Sequence, residues 1–387
     1  MNQILKKIKP TKTEEELLKK KINSFLRVMK GVKSVIGGSV AKGTWLKNNY
    51  DVDVFVKFRN NNNLSNRLEK ILKARFDNIE RIHGSRDYFQ VHFMGLNFEV
   101  IPILDIKKSS NAKNITDISP LHVLWIKKNI NGLEDDVRLA KYFCKIQEVY
   151  GAETYIKGFS GYVLEILIIK YGGFINLLKA VKNWNNEKII GTGNIPKSKY
   201  SALIVIDPVQ NNRNAAAALS SESFQRFKNA AINYLTNFSD EFFIIKKIKM
   251  SEIKKNDLVL KVYCLDGKRD VIGVKLLKAY QWLINSLEKE GFVVSQKNWY
   301  WNKKKYALMW FNVKNKVLSK YKIKHGPPIN KNNECKKFKA KYTSVKTSNE
   351  RLYVILPRKH RRLKPFVEFL IKNDAYLLTK TKRIKIV

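Results

Sequence analysis

The segment DVDVFVKF, residues 51–58, is the most constraining stretch of the sequence because it follows a period of two. Such a period predicts a β-strand. Since successive side chains of a strand point to opposite faces, Asp51 and Asp53 leave the same face. Two neighbouring carboxylates repel one another unless a cation lies between them. A pair of aspartates on a solvated edge strand is also common, so the residues around this strand decide its interpretation.

A glycine-containing turn precedes this strand. The short predicted strand Ser34–Ile36 leads into Gly37 and Gly38, and Ser39 and Lys42 follow. Glycine allows backbone N–H groups to approach phosphate oxygens, and the Ser39 hydroxyl adds a further donor. Lys42 supplies positive charge for a triphosphate. Together with the two aspartates, the turn predicts a site that binds a nucleoside triphosphate.

A third carboxylate, Glu99, occurs in the segment FEVIP at residues 98–102, within a predicted strand Asn97–Leu104. If this strand pairs near the first one, Asp51, Asp53 and Glu99 form a set of oxygen ligands. Mg²⁺ prefers such ligands, and two ions about 3.5–4 Å apart assist in-line attack at phosphorus. The sequence therefore predicts metal-dependent transfer chemistry with two Mg²⁺ ions.

The remaining pattern predicts an α+β fold with an α/β N-terminal part, a helical middle and a basic C-terminal part. A helix is expected from about Thr13 to Lys30, where Thr13 and Glu16 have capping-box spacing. Helices are also expected between Pro120 and Val181, with breaks near Gly151 and Gly158. Further strands are predicted at Tyr88–Phe93, Ala202–Ile206, Phe242–Lys247 and Leu258–Cys264, and further helices from about Asn214 and over Lys275–Glu288. The expected domains are 1–117, 118–216 and 217–387.

The charge balance constrains the partners. The chain has 75 Lys and Arg against 33 Asp and Glu, a formal net charge of +42. An anionic partner would relieve this self-repulsion, and nucleic acid is the first candidate. An anionic membrane surface is the rival, but the basic residues are spread along the chain rather than gathered in one amphipathic helix. The most apolar run, Tyr162–Ile169, is interrupted by Glu165 and is too short to cross a bilayer.

Cysteine usage and the N-terminal segment indicate the compartment. Cys144, Cys264 and Cys335 lie far apart without a CxxC pair, which fits neither a disulfide framework nor a zinc site. The first residues, MNQILKKIKP, carry charge without the apolar stretch of a secretory signal. We expect a cytoplasmic protein.

The stretch GGSVAKGTWLKNNYDVDVFVKF, which begins at Gly37, resembles the nucleotidyltransferase signature of the polymerase-beta superfamily, in the form carried by archaeal (class I) CCA-adding enzymes. Other segments resemble this family in order and spacing, and together they cover nearly the whole chain. These segments are FEVIP (98–102), PLH (120–122), DVRLAK (136–141), VYGAE (149–153), GFSGY (158–162), DPV (207–209), RN (213–214) and HGPP (325–328).

The resemblance implies a polymerase-beta-like head with a mixed sheet, a helical neck that forms the nucleotide pocket, and a basic α+β body and tail that bind tRNA. It implies addition of C, C and A to the 3′ end of tRNA from CTP and ATP, contacts with the acceptor and T arms, and a homodimer. By resemblance, the catalytic and metal-binding residues are Asp51, Asp53 and Glu99, and the nucleotide-binding residues are Gly38, Ser39, Lys42, His122, Lys141, Tyr150 and Arg213. The family commonly has Arg at the position of Lys42 and Asp at that of Glu99.

Several alternatives stay open at this point. A poly(A) polymerase shares the chemistry, a small-molecule nucleotidyltransferase shares the acidic strand, and a non-catalytic RNA-binding protein could retain a relic site. Individual residues also have structural interpretations. His122 could be a core histidine, Tyr150 could pack at a helix end, and Arg213 could form a surface ion pair. Arg138, Lys141 and Lys145 would by default lie on a solvated helix face.

Overall fold

The computed structural model describes residues 1–48, 50–245 and 249–387. The chain divides into two compact units, the N-terminal unit, Met1–Lys246, and the C-terminal unit, Lys247–Val387. Both units contain helices and β-sheets, which confirms the α+β fold class. Asn49, which belongs to the signature-like stretch, lies outside the described residues.

The first part of the N-terminal unit contains a five-stranded sheet of order β1-β2-β5-β4-β3. Its central pair, β2 and β5, is parallel, and the other pairs are antiparallel, so the sheet is mixed as expected. The strands are β1 (Ser34–Ile36), β2 (Val52–Phe58), β3 (Ile79–Ile82), β4 (Tyr88–Phe93) and β5 (Leu96–Leu104), and the helices are α1 (Asn2–Ile8), α2 (Lys12–Val28), α3 (Gly38–Ala41) and α4 (Leu64–Lys73).

The first long helix, α2, buries an apolar stripe against this sheet, and the Phe25 ring stacks on that of Phe98 with the ring centroids 4.0 Å apart. The predicted cap at Thr13 is wrong. Thr11 caps the helix, and it forms a capping box with Glu14. Because Pro10 favours an extended conformation in the residue before it, the chain leaves α1 at Lys9 and the next helix begins immediately after Thr11.

The second part of the N-terminal unit is mostly helical, as predicted. Its elements are α5 (Ser119–Asn129), α6 (Glu134–Ile146), α7 (Gly161–Tyr171), α8 (Phe174–Lys182), β6 (Lys188–Ile190), β7 (Leu203–Asp207), β8 (Gln210–Asn214) and α9 (Ser221–Thr236). The helices share one apolar core that includes Phe143, Leu164 and Phe227, and β6, β7 and β8 form a small sheet in that order.

The predicted alanine-rich helix from Asn214 is wrong, because Asn214 ends β8 and a turn follows it. The Asn214 side-chain oxygen accepts hydrogen bonds from the backbone N–H groups of Val205 (3.0 Å) and Ala216 (2.9 Å), which holds the chain in this turn. The helix α9 begins only after Ser220, whose hydroxyl accepts from the Ser223 backbone N–H.

The C-terminal unit contains two antiparallel sheets, of order β10-β11-β9-β15 and β12-β14-β13. Its elements are α10 (Met250–Ile253), β9 (Leu258–Tyr263), α11 (Arg269–Glu290), β10 (Val294–Trp301), β11 (Tyr306–Val313), β12 (Tyr321–Pro328), α12 (Asn332–Lys341), β13 (Lys346–Ser348), β14 (Arg351–Pro357), α13 (Leu363–Asn373), α14 (Ala375–Lys380) and β15 (Arg383–Ile386).

The sequence correctly predicted a strand near Leu258 and a helix over Lys275–Glu288, which the structure extends to Arg269–Glu290. The prediction of a strand over Phe242–Lys247 is wrong at its start, because Phe242 and Phe243 belong to the 3-10 helix Asp240–Phe243. The last two residues of the predicted strand lie outside the described part of the chain.

Within the described residues, no individual helix is both long and apolar enough to cross a membrane. The consecutive helices α7 and α8 would satisfy the length and composition criteria as a pair, but they are bent by 89° relative to one another.

Candidate active site

The parallel pairing of β2 with β5 brings together acidic residues that are far apart in the sequence. Asp53 pairs directly with Glu99, and Glu99 pairs on its other side with Gln90 of β4. Directly paired residues project to the same face of a sheet, so the three side chains form a row on one face. Gln90 donates a hydrogen bond to Glu99 (3.3 Å), and Asn97 donates one to Asp51 (3.1 Å) just before β2.

The glycine-containing turn lies directly against this acidic face. A Cβ added to Gly37 would lie 2.0 Å from the Phe55 ring, and one added to Gly38 would lie 1.6 Å from Asp53 Oδ2. Gly38 also has a φ of +58°, a conformation that side chains disfavour. Both positions therefore require glycine, and the Asp53 carboxylate packs against the backbone that leads into Ser39.

The electrostatics of Asp53 fit a cation. Burial raises its pKa to about 6, Lys42 opposes this shift, and the charge of Asp51 adds to it. Asp51, Asp53 and Glu99 offer only carboxylate oxygens, the ligands that hard divalent cations prefer. Among the described residues, no three His, Cys, Asp or Glu side chains already form a group that could hold a metal ion. Asp51, Asp53 and Glu99 therefore fit such a cation by donor type and charge, but their side chains are not gathered into a ligand set in this structure.

A second group of side chains surrounds Glu165, which is completely buried within α7. Its carboxylate accepts hydrogen bonds from the Lys42 ammonium, from the Lys141 ammonium (2.8 Å) and from the Thr44 hydroxyl (2.6 Å). Burial alone would raise the pKa of Glu165, but the charges of Lys141 and Lys42 lower it to about 2. One buried carboxylate therefore holds both lysines that the resemblance assigns to the nucleotide.

Sequence reasoning missed Glu165 and noted it only as an interruption of an apolar run. That interruption was the available signal, because a carboxylate inside an apolar helix must find partners or pay a large desolvation penalty. The solvated-face interpretation of α6 is also wrong, since Arg138 and Lys141 are each only 3% exposed. Arg138 donates to the Trp45 carbonyl (3.1 Å) and to the Gly43 carbonyl, so α6 anchors the loop that contains Thr44.

A third group surrounds Asp207, the fully buried last residue of β7. Its carboxylate contacts His122 Nε2 (3.0 Å) and accepts hydrogen bonds from Arg213 (2.7 Å), from the Tyr162 hydroxyl (2.9 Å) and from the Val209 backbone N–H (2.9 Å). Burial would raise the pKa of Asp207, but the hydrogen bonds from its partners lower it to about 2. Arg213 is thus paired with a buried carboxylate and is not part of a surface ion pair.

Aromatic contacts connect these groups. The His122 ring stacks on the Tyr162 ring with centroids 4.1 Å apart, and the Lys42 ammonium lies 5.7 Å from the Tyr162 ring centre. The Tyr150 side chain reaches the start of α7, where its hydroxyl oxygen lies 3.1 Å from the position that a Cβ on Gly161 would occupy. Lys141 Cε lies 3.3 Å from the same position. Burial raises the pKa of Tyr150. All of the residues assigned to the nucleotide therefore belong to the N-terminal unit.

Comparison with known proteins identifies the family. Three family models match the chain, a nucleotidyltransferase domain (residues 18–122), the second domain of tRNA nucleotidyltransferase (135–244) and the C-terminal domain of CCA-adding enzymes (266–379). The CCA-adding enzyme of Sulfurisphaera tokodaii is 32% identical over 96% of this chain and 90% of that protein. The chain belongs to the CCA-adding enzyme family. The family member from Nanoarchaeum equitans is 36% identical over 74% of this chain and 76% of that protein.

Membership in the CCA-adding enzyme family confirms the resemblance that the sequence motifs suggested. The fold comparison agrees with it, because a crystal structure of the Cid1 poly(U) polymerase matches with a TM-score of 0.51 at 13% identity, over 62% of this chain and 96% of that chain. At this identity the match supports a nucleotidyltransferase fold only. Enzymes of the nucleotidyltransferase superfamily generally use divalent metal ions.

Proposed function

We propose that the protein is a CCA-adding tRNA nucleotidyltransferase that extends the 3′ end of tRNA by C, C and A, using CTP and ATP and releasing pyrophosphate. The observation that carries this proposal is the pairing of Asp53 with Glu99 beside the Gly38 turn, in a chain that matches the C-terminal domain of CCA-adding enzymes. A generic nucleotidyltransferase site would not require that domain.

In this proposal Asp51, Asp53 and Glu99 hold Mg²⁺, with two ions in the complete site. When bound, such ions lower the pKa of the attacking hydroxyl and neutralise charge on the phosphates. The chain itself supplies the positioning. Ser39 and the backbone after Gly38 bind the triphosphate, and Lys42 and Lys141 neutralise it.

The nucleoside part of the substrate meets a different set of side chains. His122, Tyr150 and Arg213 contact the incoming nucleotide, and Arg213 forms the base-reading pocket together with tRNA phosphates. Arg213 suits this role because its side chain keeps 31% of its surface exposed while a buried carboxylate fixes one of its nitrogens. The remaining N–H groups of its planar fork stay available to a ligand.

The C-terminal unit supplies much of the charge for tRNA. It contains 36 Lys and Arg against 10 Asp and Glu. Such a surface binds the acceptor and T arms through phosphates and 2′-hydroxyls, by shape rather than sequence.

We propose the division into a head (1–117), a neck (118–216) and a basic body with tail (217–387), as well as a homodimer. The three buried, unpaired cysteines agree with work in the cytoplasm.

The experiment is an extension assay with purified protein, Mg²⁺ and tRNA that lacks its CCA end, read at single-nucleotide resolution. Growth by two nucleotides with CTP, and by three with CTP and ATP followed by arrest, supports the proposal. A long tail with ATP alone would identify a poly(A) polymerase instead. Tight tRNA binding without extension would identify a non-catalytic RNA-binding protein.

A further inference from the structure

Asp207 belongs to the DPV segment (207–209), which resembles the family in order and spacing. Neither that resemblance nor the proposed chemistry assigns a role to Asp207. Its two carboxylate oxygens receive different partners. Oδ1 accepts from the Val209 backbone N–H and the Tyr162 hydroxyl, whereas Oδ2 contacts Arg213 and His122. Helices α5 and α7, strand β8 and the turn after β7 therefore converge on one completely buried side chain.

We propose that Asp207 is a positioning residue for nucleobase selection, which orients the Arg213 guanidinium and fixes the tautomer of His122 so that both present constant hydrogen-bonding groups to the incoming nucleotide. This inference rests on the proposed function, because that function makes Arg213 and His122 contacts of the nucleotide. Asp207 itself touches neither nucleotide nor tRNA in this proposal.

The tautomer follows from hydrogen-bond chemistry. An ionised carboxylate can only accept, so His122 must carry a proton on Nε2 to bond with Asp207 Oδ2 at 3.0 Å. In the neutral ring, Nδ1 is then the acceptor. The ring plane is also fixed, since it stacks on Tyr162 with an interplanar angle of 27°. His122 thereby keeps one orientation and one hydrogen-bonding pattern.

The backbone of β8 also helps to orient the Arg213 side chain, independently of its hydrogen bond to Asp207. The pairing of β7 with β8 shifts register between Ile206 and Asp207, so Arg213 lies in an irregular part of β8. Such irregularities re-aim side chains and occur next to active sites. The hydrogen bond from Arg213 to Asp207 (2.7 Å) then holds the re-aimed side chain, which would otherwise sample many rotamers.

An amide cannot replace this carboxylate. In Asp207→Asn, the side chain has one accepting oxygen and one donating NH₂ group. Whichever way the amide turns, the NH₂ group faces either the Val209 backbone N–H or the Arg213 guanidinium, and neither of these can accept. If the NH₂ group faces His122, the ring can accept only by moving its proton to Nδ1. If the amide oxygen stays toward Arg213 and His122, the Val209 N–H loses its acceptor and Arg213 loses its negatively charged partner; if the amide turns the other way, the NH₂ group also opposes the Arg213 guanidinium. Either orientation weakens the hold on Arg213 while keeping nearly the same volume.

The test compares wild type with Asp207→Asn in the full chain. A matched control is Asp117→Asn, because Asp117 is another buried carboxylate that accepts from Arg86 and from backbone N–H groups, yet lies outside the Asp207 group. The kinetic assay measures kcat and KM for ATP on tRNA ending in CC, and the misincorporation of GTP and UTP. The spectroscopic assay measures the imidazole ¹⁵N shifts of His122, assigned by the signals that vanish in His122→Gln.

We expect Asp207→Asn to raise KM for ATP and to weaken discrimination against GTP and UTP by about tenfold or more, as for loss of a charge-assisted hydrogen bond, with a smaller change in kcat. Asp117→Asn should lower the melting temperature without this loss of discrimination. His122 should be protonated on Nε2 in wild type, and a population protonated on Nδ1 should appear in Asp207→Asn.

Unchanged discrimination in a folded Asp207→Asn variant would overturn the inference. A wild-type His122 that lacks a proton on Nε2 would overturn it as well, and this measurement needs no variant to fold. If wild type extends no tRNA, the proposed function fails and the nucleotide-selection role fails with it. Normal extension with unchanged discrimination in the variant refutes the role of Asp207 alone.

Discussion

Among the described residues of the N-terminal unit, six Asp, Glu, His, Lys or Arg side chains are buried, whereas in the described part of the C-terminal unit the buried polar residue is the uncharged Thr381. The six are Asp117, His122, Arg138, Lys141, Glu165 and Asp207. The formal net charges differ in the opposite sense. The N-terminal unit has 39 basic and 23 acidic residues, a net charge of +16, while the shorter C-terminal unit has 36 and 10, a net charge of +26.

This difference shows two uses of charge in one chain. A buried charge is costly to desolvate and is retained only with well-placed partners, so each one fixes the geometry of its neighbours. Exposed charges cost little, need no fixed partner and attract phosphates over a distance set by salt screening. The N-terminal unit therefore has the features of a precise chemical site, and the C-terminal unit has those of an electrostatic surface for a polyanion.

The substitution Asp53→Asn tests the first half of this comparison with the largest expected effect. It removes a charged ligand from the acidic face, and we expect kcat to fall by about a thousandfold or more because metal-assisted transfer depends on that charge. Affinity for tRNA, measured by filter binding, should change little. Asp105→Asn is the control, because Asp105 follows β5 and pairs with Lys33 and Lys57 away from the site. Turnover near the wild-type value in Asp53→Asn would refute the site assignment.

Acid should unfold the N-terminal unit more readily than the C-terminal unit. Glu165 and Asp207 have folded-state pKa values of about 2, below their ordinary values of 4.5 and 3.8. A carboxylate whose pKa is lowered on folding stabilises the folded state at any pH above its ordinary pKa, by about 1.4 kcal/mol for each pKa unit of the shift. This stabilisation is lost as the pH falls from the ordinary pKa toward 2. When the pH is lowered from 4.5 to 2, the first sites that pepsin cleaves should lie in the N-terminal unit, upstream of residue 246. Earlier cleavage within the C-terminal unit would contradict this expectation.

The substitution Glu165→Gln should impair nucleotide binding without affecting tRNA binding. The amide removes the negative charge between Lys42 and Lys141 and keeps one accepting oxygen in place of two, so one lysine loses its acceptor on residue 165 and the other keeps only a neutral one. We expect KM for CTP and ATP to rise by about ten- to a hundredfold, from the usual cost of lost charged hydrogen bonds. Glu148→Gln, an exposed glutamate paired with Arg226, is the matched control. Equal KM values in the two variants would show that Glu165 does not position the lysines.

Neutralising exposed lysines of the C-terminal unit should give the smallest and most salt-sensitive effect. Lys336, Lys337 and Lys339 are exposed on α12, and we expect their joint replacement by Gln to weaken tRNA binding by about three- to tenfold at low salt. The slope of log affinity against log salt should fall by about 1 for each lysine that contacts a phosphate. The same replacement of the exposed Lys12, Lys19 and Lys20 of α2 should have less effect. A larger effect in α2 would reverse the comparison.

Local sequence patterns predicted those features whose causes are local. The period of two around Asp53 gave the strand β2, helical spacing gave α2, and ordered motifs gave the family. Two Thr-x-x-Glu spacings overlap here, Thr11 with Glu14 and Thr13 with Glu16, and the sequence prediction used the second. The structure uses the first, because Pro10 keeps Lys9 extended, so that α1 ends there and α2 begins after Thr11.

The remaining features depend on partners distant in the sequence. Glu165 is acceptable inside an apolar helix because Lys42, Thr44 and Lys141 reach it from other elements. The alanines after Asn214 would favour a helix by propensity, but the Asn214 side chain satisfies backbone groups on two segments and holds a turn. The interruption of the apolar run indicates that Glu165 has partners but not which residues they are, and no local pattern indicates the turn after Asn214.

The parallel register of β2 and β5 has a consequence for how this fold can vary. The position of Asp53 beside Glu99 depends on the alignment of two strands and not on the length of chain between them. Insertions or deletions in the exposed turn at Asn61 and Asn62, between the two strands, should therefore preserve the acidic row. One residue inserted within β5 upstream of Glu99 would move that carboxylate to the opposite face of the sheet. Natural length variation in this family should thus be confined to the turns, and protein engineers can use those turns to attach tags or further domains.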